Sequence, residues 1–228
     1  MIENSTKYPR TFHFPFSPGL SGDDKIANVD WDWFISHNLV LTEKLDGENS
    51  ALKFDGVFAR SHSSEAHHPW NKNLWQEGGL FDRIKPYLDE DTIYYGENLY
   101  GVHSIEYNNL NKYFHLFAIR HKDKFLRWTE VEDFATILEI PTVPVLGRGK
   151  FRDMRQLEKE IIECHMKWGS AYGNEIEGVV VRIVDEFDVK DFNTHVVKYV
   201  RENHVQTDSH WKKNWKKAKL NYEKWQHL

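Results

Sequence analysis

The 228-residue sequence predicts an α+β domain built on antiparallel sheet, and three observations carry that prediction. Short runs rich in β-branched and aromatic residues outnumber segments with helical spacing. Hairpin-like pairs alternate with the helical segments. No internal repeat or low-complexity linker divides the chain. Residues 1–37 read as an N-terminal arm, 38–203 as the folded domain and 204–228 as a basic, Trp-containing extension. Pro9, Pro15, Pro18 and Gly19 mark the first 21 residues as extended over the surface. Leu39-Val40-Leu41 opens the strand pattern and runs into Thr42-Glu43-Lys44-Leu45-Asp46-Gly47. Ser50 to Ser61 reads as a hairpin turning at Asp55-Gly56. Leu80, Ile84 and Leu88, four apart, centre a helical portion within 71–89 that Gly78-Gly79 interrupts.

Thr92 to Gly96 and Tyr113 to Ile119 are the next strands. Thr129 with Glu132 forms a capping box for a helix reaching about Leu138. Asp153 with Gln156 forms a second, for a helix that ends at Gly169 with Leu157, Ile161 and Trp168 inward. Ile176 to Val184 and His195 to Val200 complete the series as buried strands.

Composition removes several function classes. Hydrophobic residues at 40% and aromatics at 14% exclude a disordered chain. No apolar run has the length of a membrane span, and the first 30 residues lack the charged start and apolar stretch of a secretion signal. Cys164 is the single cysteine, so disulfide frameworks and thiolate clusters are excluded. A cytoplasmic globular protein is expected. The net charge is −5, yet Lys198 to Leu228 carries +5 and the remainder −10. Such a basic tail suits either phosphate neutralisation or a solvated C-terminal helix.

Chemistry concentrates in six places. Lys44-Leu45-Asp46-Gly47 sits between two strands. A lysine is nucleophilic only when neutral, so a catalytic one needs a nearby cation or desolvation to lower its pKa. The hairpin ends in Ala59-Arg60-Ser61, and Tyr94-Tyr95-Gly96-Glu97-Asn98 ends a strand with a carboxylate. Phe117 lies in the strand Tyr113-Phe114-His115-Leu116-Phe117-Ala118-Ile119. Glu175-Ile176-Glu177-Gly178 precedes an apolar strand, and Lys198 interrupts Val196-Val197-Lys198-Tyr199. Each alone reads more readily as a structural ion pair or turn. Six in succession do not, because charges in apolar strands are costly unless paired or bound to ligand or metal.

This ordered set, spanning Leu41 to Lys198, resembles the covalent nucleotidyltransferase superfamily of ATP-dependent ligases and mRNA capping enzymes. It looks most like the phage-type RNA ligase family that seals 3′-hydroxyl and 5′-phosphate ends, and the small stand-alone proteins of that kind. Gly96 to Ile105 and His204-Val205-Gln206-Thr207-Asp208 add to the likeness. The resemblance implies an ATP-grasp-like nucleotidyltransferase (adenylation) fold of antiparallel sheets flanked by helices, with no length left for a separate OB domain. It implies that Lys44 attacks the α-phosphorus of ATP to give lysyl-AMP, and that AMP then passes to an RNA 5′-phosphate. Glu43, Asn49, Arg60, Glu97, Phe117, Glu177 and Lys198 would bind the nucleotide. Phe117 would stack on adenine and Lys198 would touch the α-phosphate. Asp46, Glu97 and Glu177 would hold Mg²⁺ or Mn²⁺, whose preference for oxygen ligands matches them.

Three departures stand out. Val200 occupies the second lysine position of the last motif, with Arg201 expected on the opposite face. Asn98 replaces an aromatic, and the chain stops about 30 residues after Lys198. Capping with GTP, sealing of DNA, and a nucleotide- or RNA-end-binding protein that no longer ligates are the alternatives. Outside this set, His62, His67 and His68 read as polar surface rather than a zinc site, and His204 and His210 as a phosphate contact or a local turn. Cys164 reads as a buried structural thiol. Trp211 and Trp215, one helical turn apart, read as docked core with lysines outward.

Overall fold

The structure, a computed structural model, describes residues 6–60, 65–202 and 215–224, without the side chains of 167, 168 and 224. Among them run eleven strands: β1 (Phe12–His13), β2 (Leu39–Lys44), β3 (Glu48–Lys53), β4 (Gly56–Ala59), β5 (Thr92–Asn98), β6 (Phe114–His121), β7 (Lys124–Phe125), β8 (Val145–Gly149), β9 (Gly178–Ile183), β10 (Phe187–Asp188) and β11 (Val196–Val200). They form two sheets, ordered β1-β11-β9-β2-β8 and β10-β7-β6-β5-β3-β4. All pairings are antiparallel except β1 with β11. The mixed, mainly antiparallel architecture is the one the sequence predicts.

Alternation divides β2 between two cores. Leu39 and Leu41 pack with Phe14, Phe34, Leu157, Ile161 and Val181, beneath helices Trp31–Ser36 and Met154–Glu163. Val40 faces the larger core of Leu52, Tyr94, Leu116 and Trp128. A third core joins Ala51, Tyr95 and Ala118 of the second sheet to Val196 of the first. The two sheets therefore share apolar contacts on both sides of the crossover at Asp46-Gly47. Gly47 is needed there for space, since a Cβ would lie 2.6 Å from the Asn98 carbonyl oxygen.

Several local expectations shift. The hairpin pairs Lys53 with Gly56, so Phe54 and Asp55 form the turn and Gly56, at φ +146°, opens the return strand. The helical portion of 71–89 is four short pieces, broken at Gly78 (φ +71°) and Pro86. The helix expected from Thr129 begins at Trp128, because Glu130 accepts the Arg127 N–H at 3.2 Å while Glu132 pairs with Arg148. The Asp153–Gln156 cap forms as read, with the Gln156 N–H on Asp153 at 2.8 Å, and the helix passes through a π turn to Gly169. Leu157 and Ile161 are fully buried inward; the Trp168 side chain lies outside the described set. Strands β1, β7, β8 and β10 had no signal strong enough to read in isolation.

The two termini differ most from expectation. Far from crossing the surface, the arm buries Phe14 completely and adds β1 to the sheet edge. Residues 215–220 are extended rather than helical. Ala218 and Leu220 turn inward, Lys217 and Lys219 outward, and the segment pairs at Gly101–Lys217 and Leu110–Leu220. Trp215 docks against Trp70 and Tyr100, as read, and Trp211 lies outside the described residues. None of the described helices is long and apolar enough to cross a membrane.

Candidate active site

Register brings the chemistry-bearing residues together. In the first sheet Lys44 pairs with Gly178 and Val180 with Lys198, so the end of β2, the start of β9 and the middle of β11 converge. Gly178 permits this, because a Cβ there would collide with the Tyr199 carbonyl. In the second sheet Asn49 pairs with Glu97, and β6 beside it carries Phe117. Between the sheets lies a cavity of about 490 Å³, within the range of small-ligand sites. Glu43, Lys44, Asn49, Arg60, Glu97, Phe117 and Lys198 line it, and Glu177 is not among the lining residues.

Lys44 Nζ sits 2.5 Å from Glu177 Oε2. Burial works against its charge, but Glu177, Glu97 and Asp46 outweigh burial and hold the amine above its ordinary pKa. The resting lysine is thus a clamped ammonium, opposite to the lowered state expected of a nucleophile. Burial pushes Glu97 up to about 8, with Glu177 and Asp46 adding to the shift and Lys44 opposing it. Glu97 Oε1 accepts the Gly47 N–H at 3.1 Å. Lys198 is pulled below its ordinary value by burial and by Lys44.

The carboxylates expected to share a metal have separate partners. Asp46 Oδ2 accepts the Ser104 and Ile105 N–H groups, both at 2.7 Å, and is not part of the cavity wall. Among the described residues no group of three or more His, Cys, Asp or Glu side chains is arranged to hold a metal ion. The three carboxylates read as metal-holding are engaged within the chain, Asp46 with two backbone N–H groups, Glu97 with the Gly47 N–H and Glu177 with Lys44. The oxygens needed to fold the loop after Glu97 come from Asp46.

Glu43 is buried, and its Oε2 accepts the Ala171 N–H at 3.0 Å. Its Oε1 has no hydrogen-bond partner within the described residues, nor does Asn49 Oδ1. Both oxygens are enclosed, although their residues line the cavity. Asn98, where an aromatic was the pattern, instead ties the loop at 70–73 to β5 by accepting from Asn73 at 3.0 Å and donating to the Trp70 carbonyl at 3.1 Å. Arg201 faces away and pairs with Glu175 at 2.8 Å. His67 pairs with Glu65 and His68 stacks on Trp70, while His62, His204 and His210 fall outside the described residues. Cys164 is buried and free.

Sequence reasoning missed Tyr8, Arg10, Asp24 and Arg182, all on the cavity wall. Tyr8 meets Phe117 edge-on with ring centroids 4.9 Å apart. Arg182 is buried and donates to the Leu126 carbonyl at 2.8 Å; burial lowers its pKa to about 10. No periodicity marks these residues, since their place depends on pairing across the whole chain.

Comparison with known proteins follows the same lines. The family described as RNA ligase matches residues 37–200. An archaeal ATP-dependent RNA ligase superposes with TM-score 0.55 at 16% identity, over 86% of this chain and 48% of that one. An RNA ligase mutant of Naegleria gruberi with ATP and Mn superposes with TM-score 0.54 at 18% identity, over 83% and 58%. The chain thus spans about half the length of these two structures. No curated protein matches it by sequence.

Proposed function

Since the chain belongs to the RNA ligase family, we propose that it is an ATP-dependent RNA ligase of nucleotidyltransferase fold, joining 3′-hydroxyl and 5′-phosphate RNA ends through lysyl-AMP and adenylylated RNA. One observation carries the reading: Lys44 Nζ lies 2.5 Å from Glu177 in a cavity it shares with Lys198 and Phe117.

The residues suit a nucleoside triphosphate. Phe117 offers a half-buried ring face for the base. In the first step Lys44 Nζ forms a bond to the α-phosphorus, the bond to the bridging oxygen breaks, and pyrophosphate leaves with that electron pair. The amine must first lose a proton, and Glu177 Oε2 is placed to take it. Lys198 supplies fixed positive charge as negative charge builds on the phosphorane. In the second step AMP moves from Nζ to the RNA 5′-phosphate, whose adenylate then leaves when the 3′-hydroxyl attacks.

Glu97 and Glu177 are oxygen donors of the kind Mg²⁺ or Mn²⁺ prefers, and with Asp46 they act on the Lys44 charge. Such an ion supplies charge neutralisation for the phosphates and eases loss of the lysine proton. Incubation with α-labelled ATP should leave covalent label on the unsubstituted chain and none on Lys44→Ala. Label that persists in Lys44→Ala would sink the assignment, and preferential labelling from GTP would move it to capping chemistry.

A further inference from the structure

The N-terminal arm forms a wall of the cavity to which the ligation scheme gives no task. Its placement is firmly built. His13 pairs in register with Lys198, the Ser17 hydroxyl accepts the Val200 N–H at 2.9 Å, and Gly19 donates to the Val200 carbonyl at 2.9 Å. The arm then returns to place Asp24, nearly buried, beside the strand that carries Lys198.

Asp24 gathers cations. Its Oδ1 lies 3.2 Å from an Arg10 guanidinium nitrogen, 3.3 Å from His13 Nε2 and 3.6 Å from Lys198 Nζ. Its Oδ2 accepts from the Ser21 N–H at 3.1 Å and the Ser21 hydroxyl at 2.8 Å. Arg10 and Lys198 thereby share one oxygen on the cavity wall. Of the other positive groups, Arg182 is spent on two carbonyls and Arg201 on Glu175, Val200 is buried apolar core, and Arg60 lines the same cavity.

Arg10 also differs from Lys198 in how firmly it is held. Its side chain is 38% exposed and its second partner, Asp23, is 84% exposed. Exposed ion pairs of this kind contribute little and exchange readily. A guanidinium fork meeting phosphate oxygens makes two charge-assisted hydrogen bonds, a stronger arrangement than the one it would leave. Of the two cations that share Asp24 on this wall, Arg10 is the more exposed, at 38% against 18% for Lys198.

Resting on the adenylylation reading, in which Lys198 meets the α-phosphate, we propose that Arg10 beside it forms an anion subsite for the terminal phosphates of a bound nucleoside triphosphate and is the residue that tells a triphosphate from a monophosphate. The arm outside the matched family region thus completes the nucleotide site.

Calorimetric titration of the full chain in magnesium buffer with α,β-methylene-ATP, which cannot transfer AMP, and with AMP tests this. Arg10→Gln should weaken the triphosphate analogue by about tenfold or more while AMP affinity stays within about twofold, and Arg10→Lys should recover part of the loss. Equal losses for both ligands, or no loss for the analogue, would overturn the proposal. So would weaker binding of a 5′-phosphorylated RNA with an unchanged ratio between analogue and AMP, which would put Arg10 on the RNA strand. Because binding is read without transfer, a chain that takes up no covalent label defeats the ligase reading and leaves this measurement valid.

Discussion

Replacing Glu97 by Gln should stabilise the fold, and increasingly so as pH rises. Burial beside Glu177 and Asp46 raises the Glu97 pKa from 4.5 to about 8. Between those two values the folded chain keeps a proton that the unfolded chain has released. The stability conferred by the neutral carboxyl is therefore fully present below pH 4.5 and is lost as pH rises through 8. At about 1.4 kcal/mol per unit, the loss from pH 5 to pH 8.5 is about 4 kcal/mol if the whole shift is expressed, and about 2 kcal/mol if relaxation and water entry halve it. Glutamine mimics the neutral acid, keeps an acceptor for the Gly47 N–H, and does not titrate. Urea unfolding of both proteins at pH 5 and pH 8.5 reads the effect. The advantage of Glu97→Gln should grow by about 2–4 kcal/mol across that interval, a midpoint difference of about 1 M or more. Comparing two proteins at two pH values cancels the titrating groups that do not interact with Glu97. An advantage that is equal at both pH values would refute the reasoning, and with it the view that the site holds a carboxylate at the expense of stability.

Two further outcomes follow from the geometry. Phe117→Ala should raise the KM for ATP in the labelling reaction by about 5- to 100-fold, the equivalent of about 1–3 kcal/mol of stacking, while GTP stays poor; an unchanged KM would remove Phe117 from the base site. Ser17→Ala strips the buried Val200 N–H of its acceptor and His13 of its hydroxyl partner. It should cost about 1–3 kcal/mol in chemical denaturation, and a loss within error would show that the arm is held by packing alone.

Much of the site was legible because its signals are local. An Asp-Gly after a strand, a lysine between valines, and a carboxylate followed by glycine each state a chemical anomaly in a few residues. Lys44, Glu97, Glu177 and Lys198 were found in that way. The helix 154–163 was equally plain, since a cap at Asp153 and apolar residues at 157 and 161 are a short-range code. The hairpin turn and the start of the helix at 128 slipped by one or two residues, where a neighbouring side chain supplied a different cap or turn position. Strand β1 was invisible because two residues carry no periodicity. Its existence depends on an edge at β11 that appears only when 196–200 has folded.

By itself the sequence determined which residues are out of place in their apolar strands, their order along the chain, and the α+β class, because alternation, capping and turn formation act over a few bonds. Tertiary structure decided what those residues face. Lys44 is clamped as an ammonium by a glutamate 133 positions away, Asp46 is drawn off to fasten a loop, and the arm brings Arg10 and Asp24 to the wall of the cavity. Charge state depends on distances between groups brought together by sheet register. Register in turn is fixed by which faces can be buried at the same time, a condition that only the whole folded chain satisfies.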